Sequence, residues 1–192
     1  MAQPSPIPKL YTVAEYLALG ETEPGYTELE EGRLIMVPGP APDHNTVGFR
    51  LAMALLQQLP PDLEPILDVD IDLELVTPRE PGFSRRPDLI VARRTARPRV
   101  RAEGGAIRAS EVSLVVEIVS PGSRRTDNVI KRGEYADAGI PHYWIVDLNP
   151  PVSLLACHQA GEFGYADGGE RVGRLTVTEP FPVDIDLDSL LG

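Results

Sequence analysis

Two acidic residues stand inside runs that are otherwise apolar, and that placement constrains the fold more than anything else in the chain. Asp88 lies near the start of Pro87 to Ala92 and Glu117 lies within Val112 to Val119, both dense enough in apolar residues to read as interior strands. An ionised carboxylate in the middle of a buried strand costs several kcal/mol unless a cation, a metal or hydrogen-bond donors compensate it. Two of them in consecutive strands therefore require shared compensation, and a metal site is the economical form of it. Lys131 sharpens the point. The chain has sixteen arginines and only two lysines, Lys9 in a Pro-rich leader and Lys131 beside a helix-like segment. A compact ammonium can touch a water or a phosphoryl oxygen where a planar guanidinium does not fit.

The segments around these residues read as alternating strands and helices. Tyr11 to Gly20 is expected to be a short helix, with Thr12 as cap, Glu15 completing a capping box and Gly20 as stop. Tyr26 to Val37 carries two strand-like runs about Glu30-Glu31-Gly32, the signal of a tight hairpin. Asp43 is placed to cap a helix running to about Leu59, with Val47, Leu51, Ala54 and Leu55 on one stripe. Leu63 to Val76 alternates, which predicts one strand with Asp70 and Asp72 on its wet side. Arg93 to Ala109 reads as a loop, and Asp127 to Ala138 as a helix capped by Asp127 that puts Lys131, Tyr135 and Ala138 on one face. Tyr135 and Trp144 read as core aromatics. His142 to Asp147, Val152 to Cys157, Glu162 to Ala166 and Arg171 to Val177 read as successive strands. Strand, strand, helix, strand is an α/β arrangement in which Asp88, Glu117 and Lys131 converge if the acids share a strand end and the helix starts above it.

The totals narrow the chemistry. At 192 residues the chain is expected to form one domain, residues 1–192, with a loose leader over 1–8. No apolar run is long enough for a membrane-spanning helix and the start lacks the apolar core of a secretory signal, so a cytoplasmic protein with no membrane partner is expected. A lone Cys157 rules out an intrachain disulfide and a cysteine metal cluster. The net charge of −11 opposes binding to phosphate backbones, but nine arginines between Arg79 and Arg108 form a basic segment suited to tracking them. Two carboxylates with an open coordination sphere suit Mg²⁺ (or Mn²⁺), and with a nearby ammonium they suit phosphodiester hydrolysis.

Glu28 to Leu34, His44, Pro87 to Val91, Leu114 to Pro121, Lys131-x-x-x-Tyr135 and Ala138 to Asp147 together resemble the Uma-two family of restriction-endonuclease-like proteins, within the PD-(D/E)XK nuclease superfamily. The resemblance spans Tyr11 to Leu187. It implies a restriction-endonuclease-like core, a mixed β-sheet flanked by helices, with additional C-terminal strands. It also implies a metal-dependent DNA endonuclease with Asp88 and Glu117 as metal ligands, Lys131 as a lysine moved onto the following helix, and Glu28 and His44 as further site residues. Val119 stands where the usual motif has its lysine. A homodimer is expected where two sites cut a duplex. The alternatives are a nuclease fold kept as a binding module, which the acidic charge favours, and a metal-dependent hydrolase of another phosphate compound. The plain structural readings are a Glu117 ion pair with Arg124 or Arg125 and a surface Lys131 paired with Asp127 or Glu134.

Overall fold

A computed structural model describes residues 8–20, 26–119 and 126–192; most of the leader, together with Arg124 and Arg125, lies outside them. The first helix, α1 (Val13–Leu17), has the expected capping box, with the Thr12 hydroxyl accepting from the Glu15 amide. Next come β1 (Tyr26–Glu30) and β2 (Arg33–Val37), an antiparallel hairpin in which Glu30 faces Arg33. Its two loop residues, Glu31 at φ 49° and Gly32 at φ 75°, are both left-handed, as a primed two-residue turn requires. Helix α2 (Pro42–Leu56) starts two residues earlier than expected. Ala41 is its cap position and Pro42 its first residue, so Asp43 sits in the first turn and is not the cap. It buries Val47, Gly48, Leu51, Ala52 and Leu55.

The alternating run after α2 is two strands and not one. β3 (Leu63–Leu67) ends at Asp68, whose φ of 50° turns the chain, and β4 (Ile71–Asp72) gives out before Glu74 at φ 54°. Asp70 is half-buried and accepts from the Tyr16 hydroxyl at 3.2 Å, so it is not a simple solvent-facing acid. β5 (Ser84–Arg85) and β6 (Leu89–Arg93) follow, and the expected loop contains a helix, α3 (Ala96–Glu103). Then come β7 (Ile107–Arg108), β8 (Val112–Val119), a π-helical turn (Thr126–Lys131), α4 (Arg132–Asp137) and β9 (His142–Asp147). The chain ends in β10 (Ser153–Gln159), β11 (Tyr165–Val172) and the hairpin β12 (Arg174–Val177) and β13 (Val183–Asp186).

Two mixed sheets result. The larger has the order β11-β10-β9-β8-β6-β3, with β8 and β9 parallel across the crossover that carries α4 and every other pair antiparallel. The smaller runs β2-β1-β5-β4-β7. Alternation along β8 decides what each face meets. Leu114, Val116 and Ile118 pack with Trp144 and Val146 against α2 and the C-terminal hairpin. Val115 and Val119 belong to a second core, with Tyr135 and Tyr143, shared with the smaller sheet. Glu117 falls by alternation on this second face, toward α4 and β1.

The β1–β2 turn is also a packing joint, because the Gly32 carbonyl accepts from the Tyr11 amide and the Gly32 amide donates to the Gly82 carbonyl. A Cβ at Gly32 would lie 2.7 Å from Pro81 Cβ and 3.0 Å from the Tyr11 carbonyl oxygen. Gly32→Ala is therefore expected to lose about 1–3 kcal/mol of stability, from a strained left-handed alanine in a closed space. Urea unfolding read by the fluorescence of Trp144, the only tryptophan, checks this; an unchanged midpoint would show that the turn relaxes freely.

Candidate active site

Glu28, His44, Asp88, Glu117 and Lys131 all line one cavity of about 500 Å³ between the two sheets. Each arrives on a different element, so the site is a product of tertiary packing. Glu28 is the middle residue of β1. His44 lies in the first turn of α2, where its Nε2 is 2.6 Å from Asp88 Oδ1. Asp88 directly precedes β6, and its Oδ2 accepts from the Ile118 amide at 2.6 Å, which ties it to β8 beside Glu117. Lys131 closes the π-helical turn. The wider turn carries it inward while Val129 and Ile130 remain exposed, and such turns recur at functional sites.

The lysine is 5% exposed and surrounded by acids. Its Nζ is 3.1 Å from Glu28 Oε1, 3.1 Å from Glu117 Oε1 and 3.7 Å from Asp127 Oδ1. Lys131 is thus not a surface residue, and of the two expected partners it keeps Asp127 while Glu134 goes elsewhere. Asp127 is buried and serves the lysine instead of capping a helix. Burial by itself would lower the Lys131 pKa, but the carboxylates of Glu117, Glu28 and Asp127 override it and raise the value, so the ammonium stays charged. Glu28 is held below the usual carboxylate range despite its burial, by Lys131 and Arg85. Glu117 goes the other way. Burial raises it well above the carboxylate range, Lys131 offsets only part of that, and Asp88, Asp127 and Glu28 add to it.

Two groups that sequence reasoning did not place in the site complete it. Arg85, 1% exposed, donates from Nη1 to Glu28 Oε2 at 2.9 Å, from Nη2 to Glu30 at 2.6 Å and to Glu134 at 2.6 Å, and from Nε to Glu134. It lay in the basic segment, but nothing local to Arg85 distinguishes it from its neighbours. Tyr135 is a core aromatic, as expected, and its hydroxyl also donates to Glu117 Oε1 at 2.7 Å. The signal for it was its position four residues after Lys131. Asp70 and Asp72 do not line the cavity.

The basic segment 79–108 serves largely in structural pairs. Arg94 and Arg97 meet Glu64, Arg99 meets Glu111, Arg108 meets Glu103, and only Arg85 and Arg86 of the segment line the cavity. Four of its nine arginines are thereby paired with carboxylates away from the site.

Among the described residues six carboxylates line the cavity, from Glu28, Glu30, Asp68, Asp88, Glu117 and Asp127, against three permanent cations, Arg85, Arg86 and Lys131. Among the described residues no three His, Cys, Asp or Glu side chains are grouped as a complete ligand cage. Two hard oxygen donors in a cavity short of positive charge fit a divalent ion that keeps waters in its remaining positions, as Mg²⁺ does. Asp88, with 23% of its side chain exposed, and Glu117 are the residues that would hold it. No helix among the described residues is long and apolar enough to cross a membrane.

Comparison with known proteins agrees with this architecture. A crystal structure titled as a "putative nuclease belonging to DUF820", from Anabaena variabilis ATCC 29413, superposes with a TM-score of 0.69 at 21% identity, covering 95% of this chain and 99% of that one. That likeness shows a restriction-endonuclease-like α/β fold. No curated protein matches. The sequence pattern of Uma2, described as "Putative restriction endonuclease", matches residues 13–188. The chain belongs to the Uma2 family of restriction-endonuclease-like nucleases.

Proposed function

We propose that this protein is a cytoplasmic, Mg²⁺- or Mn²⁺-dependent DNA endonuclease that hydrolyses phosphodiester bonds in the cavity between its sheets. The observation that carries the reading is the meeting of Asp88, Glu117 and Lys131, from three separate segments, at one solvent-reached cavity in a chain of a nuclease family. A divalent ion at Asp88 and Glu117 would supply Lewis-acid stabilisation of a phosphoryl oxygen and a more acidic water.

The chain's own groups divide the remaining work. Lys131 cannot act as a base, because its surrounding carboxylates keep it protonated; its part is to hold positive charge where the pentavalent transition state gains negative charge. Glu117 is oriented by two donors, Lys131 and Tyr135, and Asp88 by His44 and the Ile118 amide, so both carboxylates have fixed rotations before any ion arrives. Arg85 fixes Glu28 and so sets the second carboxylate contact of Lys131. One chain supplies one such site, so a homodimer would be needed to cut both strands together.

With Mg²⁺, relaxation of supercoiled plasmid is expected, falling by about 100-fold or more in Asp88→Ala and in Lys131→Met, with Lys131→Arg no better because a planar fork replaces a point charge. Nicking that persists unchanged in Asp88→Ala would refute the assignment, and no nicking by the native chain would favour a binding module. Thermal melting without metal tests Glu117. Its folded pKa lies above the unfolded reference of 4.5, so its contribution is favourable at low pH and is lost as pH rises through the folded value. Glu117→Gln is therefore expected to melt higher than the native chain near about pH 8, to converge with it near about pH 4, and to lose the stabilisation that Mg²⁺ gives the native chain. For Arg85→Met, which leaves the Glu28 and Glu134 carboxylates without their guanidinium, a loss of about 3–5 kcal/mol is expected by chemical denaturation.

A further inference from the structure

The cavity has a second half that the ionic cluster does not use. In the β1–β2 register Glu28 faces Ile35 and Tyr26 faces Val37, so Tyr26, Ile35 and Val37 share the sheet face from which Glu28 reaches Lys131. Leu67 and Ile130 join them around the same cavity. Tyr26, Ile35, Leu67 and Ile130 are 37–41% exposed, although large apolar side chains beside a buried cluster would ordinarily be covered. At the rim the Arg86 guanidinium lies over the Tyr26 ring, 4.5 Å from its centroid, and is held there by Asp68 at 2.7 Å.

Resting on the nuclease reading, we propose that this ledge seats the base of an unpaired nucleotide, so that the step presented to Asp88, Glu117 and Lys131 is single-stranded DNA, free or opened locally by the supercoiling of a plasmid, and not a paired step. A wet apolar ledge contiguous with a phosphate-directed cluster matches a ligand that is ionic at one end and flat and apolar at the other. An unpaired nucleotide has that form, because every base offers a stacking face once it leaves the helix. A duplex hides those faces and offers phosphates and groove edges instead. Affinity for nucleic-acid phosphates comes from clustered cations, whereas among the described residues the cavity has twice as many carboxylates as permanent cations, so the base must supply part of the hold. The volume of about 500 Å³ falls within the range of a small-molecule pocket, about 300–1,000 Å³, which suits one nucleotide.

The test is equilibrium binding by fluorescence anisotropy with Mg²⁺ present, using nuclease-resistant phosphorothioate oligonucleotides of one sequence as single strand, abasic single strand and duplex. The native chain is expected to bind the normal single strand about tenfold more tightly than either other form, and Ile35→Gln, which removes the apolar face without adding charge, to remove that preference while leaving abasic binding unchanged. Equal affinity for the abasic strand, tighter binding of the duplex, or binding of none of the three overturns the proposal. So does a dimer that Ile35→Gln converts to a monomer in sedimentation velocity without altering the single-strand preference. Because this readout needs no cleavage, it can fail while plasmid nicking succeeds, and the reverse, which separates it from the nuclease reading.

Discussion

The structure turns on one buried network of charges with Glu28 at its junction. One Glu28 oxygen is shared with Lys131 and the other with Arg85. Through Lys131 the network reaches Glu117 on β8, and through Arg85 it reaches Glu134 on α4. The smaller sheet, the larger sheet and the crossover helix are thereby joined by side chains that are almost without solvent. Taking such ions from water costs several kcal/mol each, and only close partners return it. Any element that moved away would leave a charge stranded. The relative placement of the two sheets is therefore specified by charge completion as well as by apolar contact, and the same atoms that specify it line the cavity.

Completion is deliberately partial. Three carboxylates around Lys131 raise its pKa, while burial raises that of Glu117 and Asp88, Asp127 and Glu28 add to it. Among the described residues the cavity is short of positive charge. A divalent ion would relieve that shortage. Apolar packing on the far side of β8, where Leu114, Val116 and Ile118 meet Trp144 and α2, keeps the strand that carries Glu117 from yielding to that repulsion. A rigid scaffold holding an unbalanced site is the arrangement that favours an incoming cation over rearrangement of the protein.

How much of this was legible in the sequence depends on how local each signal is. Glu117 and Asp88 announce themselves because a charge inside an apolar strand violates a local pattern. The β1–β2 hairpin follows from Glu31-Gly32 alone. The run Leu63 to Val76 misleads because alternation is blind to φ: Asp68 and Glu74 take left-handed conformations, which break one apparent strand into two. Helix α3 is hidden by Pro98, which reads as a breaker but falls in the first turn where proline is tolerated, and by the lack of an apolar stripe, only Ala96 being buried. Asp127 has the chemistry of a cap, but a π-helical turn takes that place and directs it to Lys131. Arg85 is the instructive omission. Its partners Glu28, Glu30 and Glu134 lie 57, 55 and 49 residues away, and no periodicity encodes a contact of that range.

Charge economy follows the same division between local and tertiary. Net charge suggested an acidic protein with one basic arm, yet four arginines of that arm pair with Glu64, Glu111 and Glu103, while Arg132 and Arg174 answer Asp167 and Asp184. Cations used in pairs release few counterions from a nucleic acid. A nuclease of the proposed kind would gain its hold on substrate at the cavity itself, from an ion held by its acids and from the apolar surface beside them. Specific contact at one nucleotide would then replace the long-range steering that a basic groove provides. The surplus of acids would in this sense be one property with two effects: it would favour a cation and limit what can approach it.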